Sequence, residues 1–86
     1  MSRSEEILWE VRAVVVDTLG IDQDACPPNP STRLFGSLPE LDSFGVVELA
    51  GAIERRFGIQ LEDDDFTTET FDTLGNLADV IDAKRH

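Results

Sequence analysis

The stretch Leu41-Asp42-Ser43-Phe44-Gly45-Val46-Val47-Glu48-Leu49-Ala50-Gly51-Ala52-Ile53-Glu54-Arg55-Arg56-Phe57-Gly58 decides how this chain folds. From Ser43 the apolar residues recur at helical rather than strand spacing: Val46, Val47, Ala50, Ile53 and Phe57 make one buried side. Gly58 is the natural stop. Gly45 and Gly51 lie inside the pattern, each costing about 1 kcal/mol relative to alanine. A helix that keeps two glycines is held by packing or needs small residues on one face. Asp42 and Ser43 stand at its mouth, where a serine has a ready structural explanation as the N-cap.

On the C-terminal side, Ile59-Gln60-Leu61 alternates like a strand but has no second strand to pair with, so it reads as an extended connector burying Ile59 and Leu61. Glu62 to Asp65 is a run of four acids. Thr67 to Phe71 makes at most one short helical turn. A last helix starts at Asp72 or Thr73, either of which can cap it, and runs to Lys84 with Leu74, Leu77, Ala78 and Ile81 as its apolar face. Lys84 and Arg85 suit its C-terminal dipole.

On the N-terminal side, residues 20–41 hold four prolines and two glycines without periodicity. So long a connection in a small domain is functional or folded down by its own side chains, and Leu34, Phe35 and Leu38 can anchor it across the core. Before it, Ser2 to Leu19 reads as a helix with Ile7, Leu8, Val11, Val14, Val15 and Leu19 in one stripe. Ser2 and Glu5 form a candidate capping box, and Gly20 is the stop. Trp9, Ala13 and Val16 point away from the stripe, to cover a loop or face a partner. The expectation is an all-α, four-helix bundle: three longer helices, one short one, and a long loop between the first and second. Residues 1–86 are read as a single domain.

Composition narrows the function. The 18 acids and 7 bases leave a net charge of −11, the wrong sign for nucleic acid or an anionic membrane surface. Such a domain is steered toward positively charged protein surfaces. No segment reads as a signal peptide or spans a bilayer, so a cytoplasmic, monomeric protein is expected. Cys26 is the one cysteine; it has no disulfide or CxxC partner and reads as a spectator thiol. The one histidine is the last residue, His86, so no catalytic triad can be assembled. There is no Walker or Rossmann glycine loop. An EF-hand beginning at Asp63 fails, with Thr68 where a glycine belongs and Leu74 where a glutamate belongs. No metal site and no catalytic residue are expected.

What remains is Asp42-Ser43, mid-chain after a long loop and at a helix start whose amides favour a phosphate. Here the sequence resembles the acyl carrier protein family, whose attachment motif Asp-Ser-Leu opens the second helix. Leu41 to Leu49, with Ile53-Glu54-Arg55-Arg56-Phe57-Gly58-Ile59, is similar to that helix and the turn after it. Leu19-Gly20 resembles the end of the family's first helix, and Phe71-Asp72-Thr73-Leu74 with Asp79-Val80-Ile81 its last. The likeness covers nearly the whole chain. The family has leucine where this chain has Phe44; Gly51 replaces a larger apolar residue, and Arg55 and Arg56 interrupt an often acidic helix.

The resemblance implies a non-enzymatic carrier. Ser43 would be esterified by 4′-phosphopantetheine, drawn from coenzyme A by a phosphopantetheinyl transferase that supplies the base. Asp42 would help present the loop to the transferase. The thiol of the arm would hold an acyl or aminoacyl thioester for loading ligases or synthases, in a specialised fatty-acid, polyketide or related pathway. The early start and charged C-terminal end fit a free-standing carrier. Helical spacing puts Phe44, Glu48, Gly51 and Arg55 in one line beginning beside Ser43, the expected partner face. The alternative is an unmodified acidic helical adaptor whose Ser43 only caps the helix.

Overall fold

The computed structural model describes residues 3–36, 38 and 41–85, and the side chains from Glu5 onward. Among them are three α-helices: α1 (Arg3–Leu19), α2 (Ser43–Phe57) and α3 (Leu74–Lys84). Two single 3-10 turns, Gln23–Ala25 and Asp63–Asp65, punctuate the connections. The short helix expected at 67–71 is a run of turns. Its one α-type bond, from Phe71 N–H to the Thr67 carbonyl, is long at 3.4 Å, and the next, from Asp72 N–H to the Glu69 carbonyl at 3.3 Å, spans only three residues. Ser2 of the candidate Ser2–Glu5 capping box falls outside the described residues.

The stripe on α1 is buried as the spacing requires: Ile7, Leu8, Val11, Val14 and Val15 reach the core, with Leu19 half-buried at its edge. This helix packs against both α2 and α3. Asp42 is the N-cap of α2, its Oδ1 accepting from the Gly45 amide at 2.8 Å. Gly58 closes the helix in the left-handed conformation, φ 65°, which a residue with a Cβ adopts only at a cost. Thr73, not Asp72, caps α3, its Oγ1 accepting from the Asn76 amide at 3.1 Å.

The buried side of α2 differs from the expectation at two positions. Val47 is 65% exposed, whereas Leu49 is fully buried beside Ala50 and Ile53. Each residue turns the helix by about 100°, which carries Val47 off the edge of the Val46–Ala50–Ile53 stripe and brings Leu49 onto its other flank. A two-valine run makes the stripe look one residue wider than the core it meets.

The long loop is folded down, as expected. Leu34 and Leu38 are buried and Phe35 half-buried. Its backbone is also strapped to the segment leading into α3. Leu34 N–H donates to the Asp72 carbonyl at 2.7 Å and Phe35 N–H to that of Phe71 at 2.9 Å, while Leu74 N–H donates to the Thr32 carbonyl at 2.9 Å. One antiparallel bridge, Arg33 to Thr73, results. Cys26 is wholly buried, and Arg12 donates to its carbonyl and to that of Gln23. The connector after α2 buries Leu61, whose amide donates to the Glu54 side chain at 2.9 Å.

Candidate functional site

Ser43 is the first residue of α2 and is exposed. Capping does not require it: the carboxylate of Asp42 takes the Gly45 amide, and the Asp42 carbonyl takes the first helical bond, from Val46 N–H at 2.9 Å. No described residue hydrogen-bonds the Ser43 hydroxyl. The serine therefore presents a free hydroxyl at the positive end of a 15-residue helix, where an attached phosphate is favoured by the dipole and the unpaired amides of the first turn.

Beside Ser43 opens a cleft of about 260 Å³. Val46 lines it from α2, Phe35 from the long loop, and Phe66, Thr67, Thr68 and Phe71 from the turns before α3. Its far wall is tied locally. The Thr67 hydroxyl accepts from the Thr70 amide at 3.1 Å, the two threonine hydroxyls pair at 3.0 Å, and Thr70 is buried. The rings of Phe66 and Phe71 lie 6.3 Å apart, in the range of favourable aromatic pairs. The strap from Phe35 N–H to the Phe71 carbonyl joins loop and turn, so the two walls are fixed to each other. An apolar cleft with a few hydroxyls at its rim suits a flexible chain with an apolar end.

The line read from helical spacing is present. Phe44 (81% exposed), Glu48 and Arg55 are exposed, and Gly51 is half-buried. A Cβ on Gly51 would stand 3.5 Å from an Arg55 guanidinium nitrogen, so that side chain lies back along the bare backbone. Val47 belongs with this face, which the spacing pattern does not reveal; two large apolar side chains, Phe44 and Val47, stand in water within one turn of Ser43. Nor does the pattern reveal the cleft. Its only signal in the sequence is Phe66 and Phe71 in a turn-rich, threonine-rich segment with no helical stripe to absorb them.

Among the described residues no group of three or more His, Cys, Asp or Glu is placed to hold a metal. No helix there is long and apolar enough to cross a membrane. Burial pushes the Cys26 thiol above its ordinary pKa, against a smaller opposite pull from Arg12.

Comparison with known proteins gives a consistent picture. A family profile described as a phosphopantetheine attachment site matches residues 9–81. The chain is 34% identical to an acyl carrier protein of Thermosynechococcus vestitus over 79 residues, covering 92% of this chain and 91% of that protein. It is 38% identical to a D-alanyl carrier protein of Bacillus velezensis over 74 residues, covering 84% and 94%. The solution NMR structure of a holo acyl carrier protein from Nitrosomonas europaea superposes with a TM-score of 0.77 at 35% identity, covering 98% of this chain and 96% of the other.

Proposed function

The chain belongs to the phosphopantetheine-attachment family of carrier proteins, and on that premise we propose that Ser43 is the residue esterified by its 4′-phosphopantetheine. The family is a carrier domain rather than a catalyst, and its prosthetic group is covalently attached 4′-phosphopantetheine. The thiol of that arm holds cargo as a thioester. We read residues 1–86 as one acyl carrier domain.

One observation carries the assignment to Ser43. Its hydroxyl is exposed and unused at the first position of α2, because Asp42 has taken over the cap. The match to the phosphopantetheine-attachment family counts against the alternative of an unmodified adaptor in which Ser43 only caps the helix. In the transfer, Ser43 Oγ attacks the pantetheine-bearing phosphorus of coenzyme A, the bond to the nucleotide phosphate breaks, and 3′,5′-ADP leaves. The serine proton passes to a base on the transferase, since the neighbouring Asp42 carboxylate is engaged with the Gly45 amide. Asp42 orders the turn that presents the serine. The cleft beside Ser43 gives the arm or a short cargo a place to rest between encounters.

The cargo is an acyl or aminoacyl group. The similarity to both an acyl and a D-alanyl carrier supports that breadth. Gly51, Arg55 and Arg56 favour a specialised fatty-acid, polyketide or related pathway, with a transferase and a loading ligase or synthase as partners. Those enzymes would meet Phe44, Glu48, Gly51 and Arg55. The test is intact mass after incubation with coenzyme A and a broad-specificity transferase. One phosphopantetheine should add to the wild type and none to Ser43→Ala, whose helical CD spectrum should persist. Addition at another residue refutes the assignment.

A further inference from the structure

In a chain with 18 acids and 7 bases, a cation without a carboxylate partner stands out. Arg33 pairs with Asp72 at 3.1 Å, Lys84 with Asp65 at 2.8 Å, and Arg85 with Glu10 at 3.5 Å. Arg12 is held by two carbonyls. Arg55 and Arg56 are both exposed, and no described carboxylate pairs with either. The helix dipole favours cations in the last turn of α2, which accounts for their place but leaves two guanidiniums without an ion pair to any described carboxylate.

Both arginines line a groove of about 460 Å³ between α1 and α2. Small apolar side chains, Ala13, Val14 and Ala52, make up much of the rest of it. Asp17 of α1 is the one acid in its lining. We propose that this groove is a docking site for an acidic segment of a partner protein, in which aliphatic side chains enter the groove and carboxylates meet Arg55 and Arg56. In naming the partner as an enzyme that works on the carrier, the proposal rests on the reading above.

Charge complementarity selects this occupant. Arginine forks bind carboxylates in two parallel hydrogen bonds, and small apolar side chains between the helices leave room for aliphatic ones. A nucleic acid would be repelled by the net charge of −11. A free phosphate would use the cations but not the apolar lining. At physiological salt the Debye length is about 8 Å, so the chain's more distant acids are largely screened from an acidic segment seated in the groove, while the two arginines act at contact. Ser43 lies 12 residues before Arg55 on the same helix, about 18 Å along its axis. One partner therefore spans attachment site and groove along the Phe44–Arg55 line.

The experiment titrates the 15N-labelled protein with the acetylated, amidated peptide Ala-Leu-Glu-Glu-Leu-Ala-Glu-Glu-Leu and with its Glu→Gln counterpart. The acidic peptide at millimolar concentration should shift amides of residues 13–18 and 52–56, while the Gln peptide and inorganic phosphate at equal ionic strength should not. Each arginine should be worth roughly three- to fivefold, so the Arg55→Gln/Arg56→Gln double variant should bind about tenfold more weakly. Asp17→Asn should bind more tightly, an effect in the opposite direction that a folding defect cannot imitate. Shifts centred elsewhere, an equal response to the Gln peptide or to phosphate, or no shift at all overturns the proposal. Mass addition to the wild type by a transferase is read separately, so failure of the carrier reading is distinguishable from failure of the groove.

Discussion

Gly51 and Gly75 look alike in sequence, each inside a helix, and the structure separates them. A Cβ on Gly51 meets only the far end of the Arg55 side chain at an ordinary 3.5 Å, whereas one on Gly75 would lie 2.8 Å from both Cβ and the carbonyl oxygen of Pro30. The Gly75 amide also donates to that carbonyl at 3.0 Å. Gly51→Ala should therefore stabilise the fold by about 0.5–1 kcal/mol. Gly75→Ala should destabilise it by roughly 1–3 kcal/mol, because backbone must move to admit the methyl. Urea denaturation of both variants checks the opposite signs; a stabilised Gly75→Ala would show that the strap is not tight. Asp42→Ala should cost about 1 kcal/mol through loss of the cap. An unchanged midpoint would mean that another group caps α2.

Among the helices, α2 divides its circumference between core and solvent, and the solvent side is the proposed partner face. Leu49, Ala50 and Ile53 are sealed inside, while Phe44, Val47, Glu48 and Arg55 face water. Exposed aromatics and arginines are over-represented among residues that dominate interfaces. Gly51→Leu and Arg55→Glu should each slow transfer of cargo by the cognate loading enzyme without changing helix content, the first by blocking close approach and the second by charge reversal. The effect should fall on KM, by roughly tenfold for either. Wild-type loading kinetics in both variants would move the docking face to the loop before Ser43. Val47 extends this prediction to a residue that the spacing pattern assigns to the core: Val47→Asp should weaken loading and leave stability nearly unchanged.

Across the molecule as a unit, net charge opposes the compact state: at −11, self-repulsion destabilises it. The melting temperature should rise by a few degrees as the Debye length falls from about 30 Å to about 8 Å; a flat response would show that the acids cost the fold nothing. One contact runs the other way. Lys84 at the end of α3 pairs with Asp65 at 2.8 Å, and Asp65 also accepts from the Glu62 amide at 2.8 Å. The hydrogen bond from Lys84, then that amide, holds the Asp65 carboxyl below its usual range, and Asp65 raises Lys84 in turn. A depressed carboxylate contributes stability that is present above its unfolded pKa of about 3.9. That contribution is lost as pH falls through the folded value. The melting-temperature gap between wild type and Asp65→Asn should therefore be open at pH 7 and close on acidification. A gap independent of pH would mean that the pair contributes no charge-linked stability. For Lys84 the sense reverses: its share is present at neutral pH and fades as pH rises through its raised pKa.

The three long helices, the Gly20 and Gly58 stops and the candidate attachment serine can be read from the amino-acid order alone, whereas the short helix expected at 67–71 is not there. Helical periodicity, Gly58 and the polar residues before each helix are local signals, written within a turn or two of where they act. The family resemblance rests chiefly on one such stretch, Leu41 to Ile59. The local backbone decided between two adjacent candidates for the cap: Asp42 is extended and its carboxylate takes the Gly45 amide, which leaves Ser43 free. Packing settled what depends on neighbours distant in the chain. It exposed Val47 and buried Leu49, because the width of a buried stripe is set by the helices packed against it. It joined Phe35 to Phe71 and thereby built the cleft beside Ser43. It left Arg55 and Arg56 without an ion pair to any described carboxylate. Pairing is a matter of which acids the fold brings close, and no spacing along one helix records that.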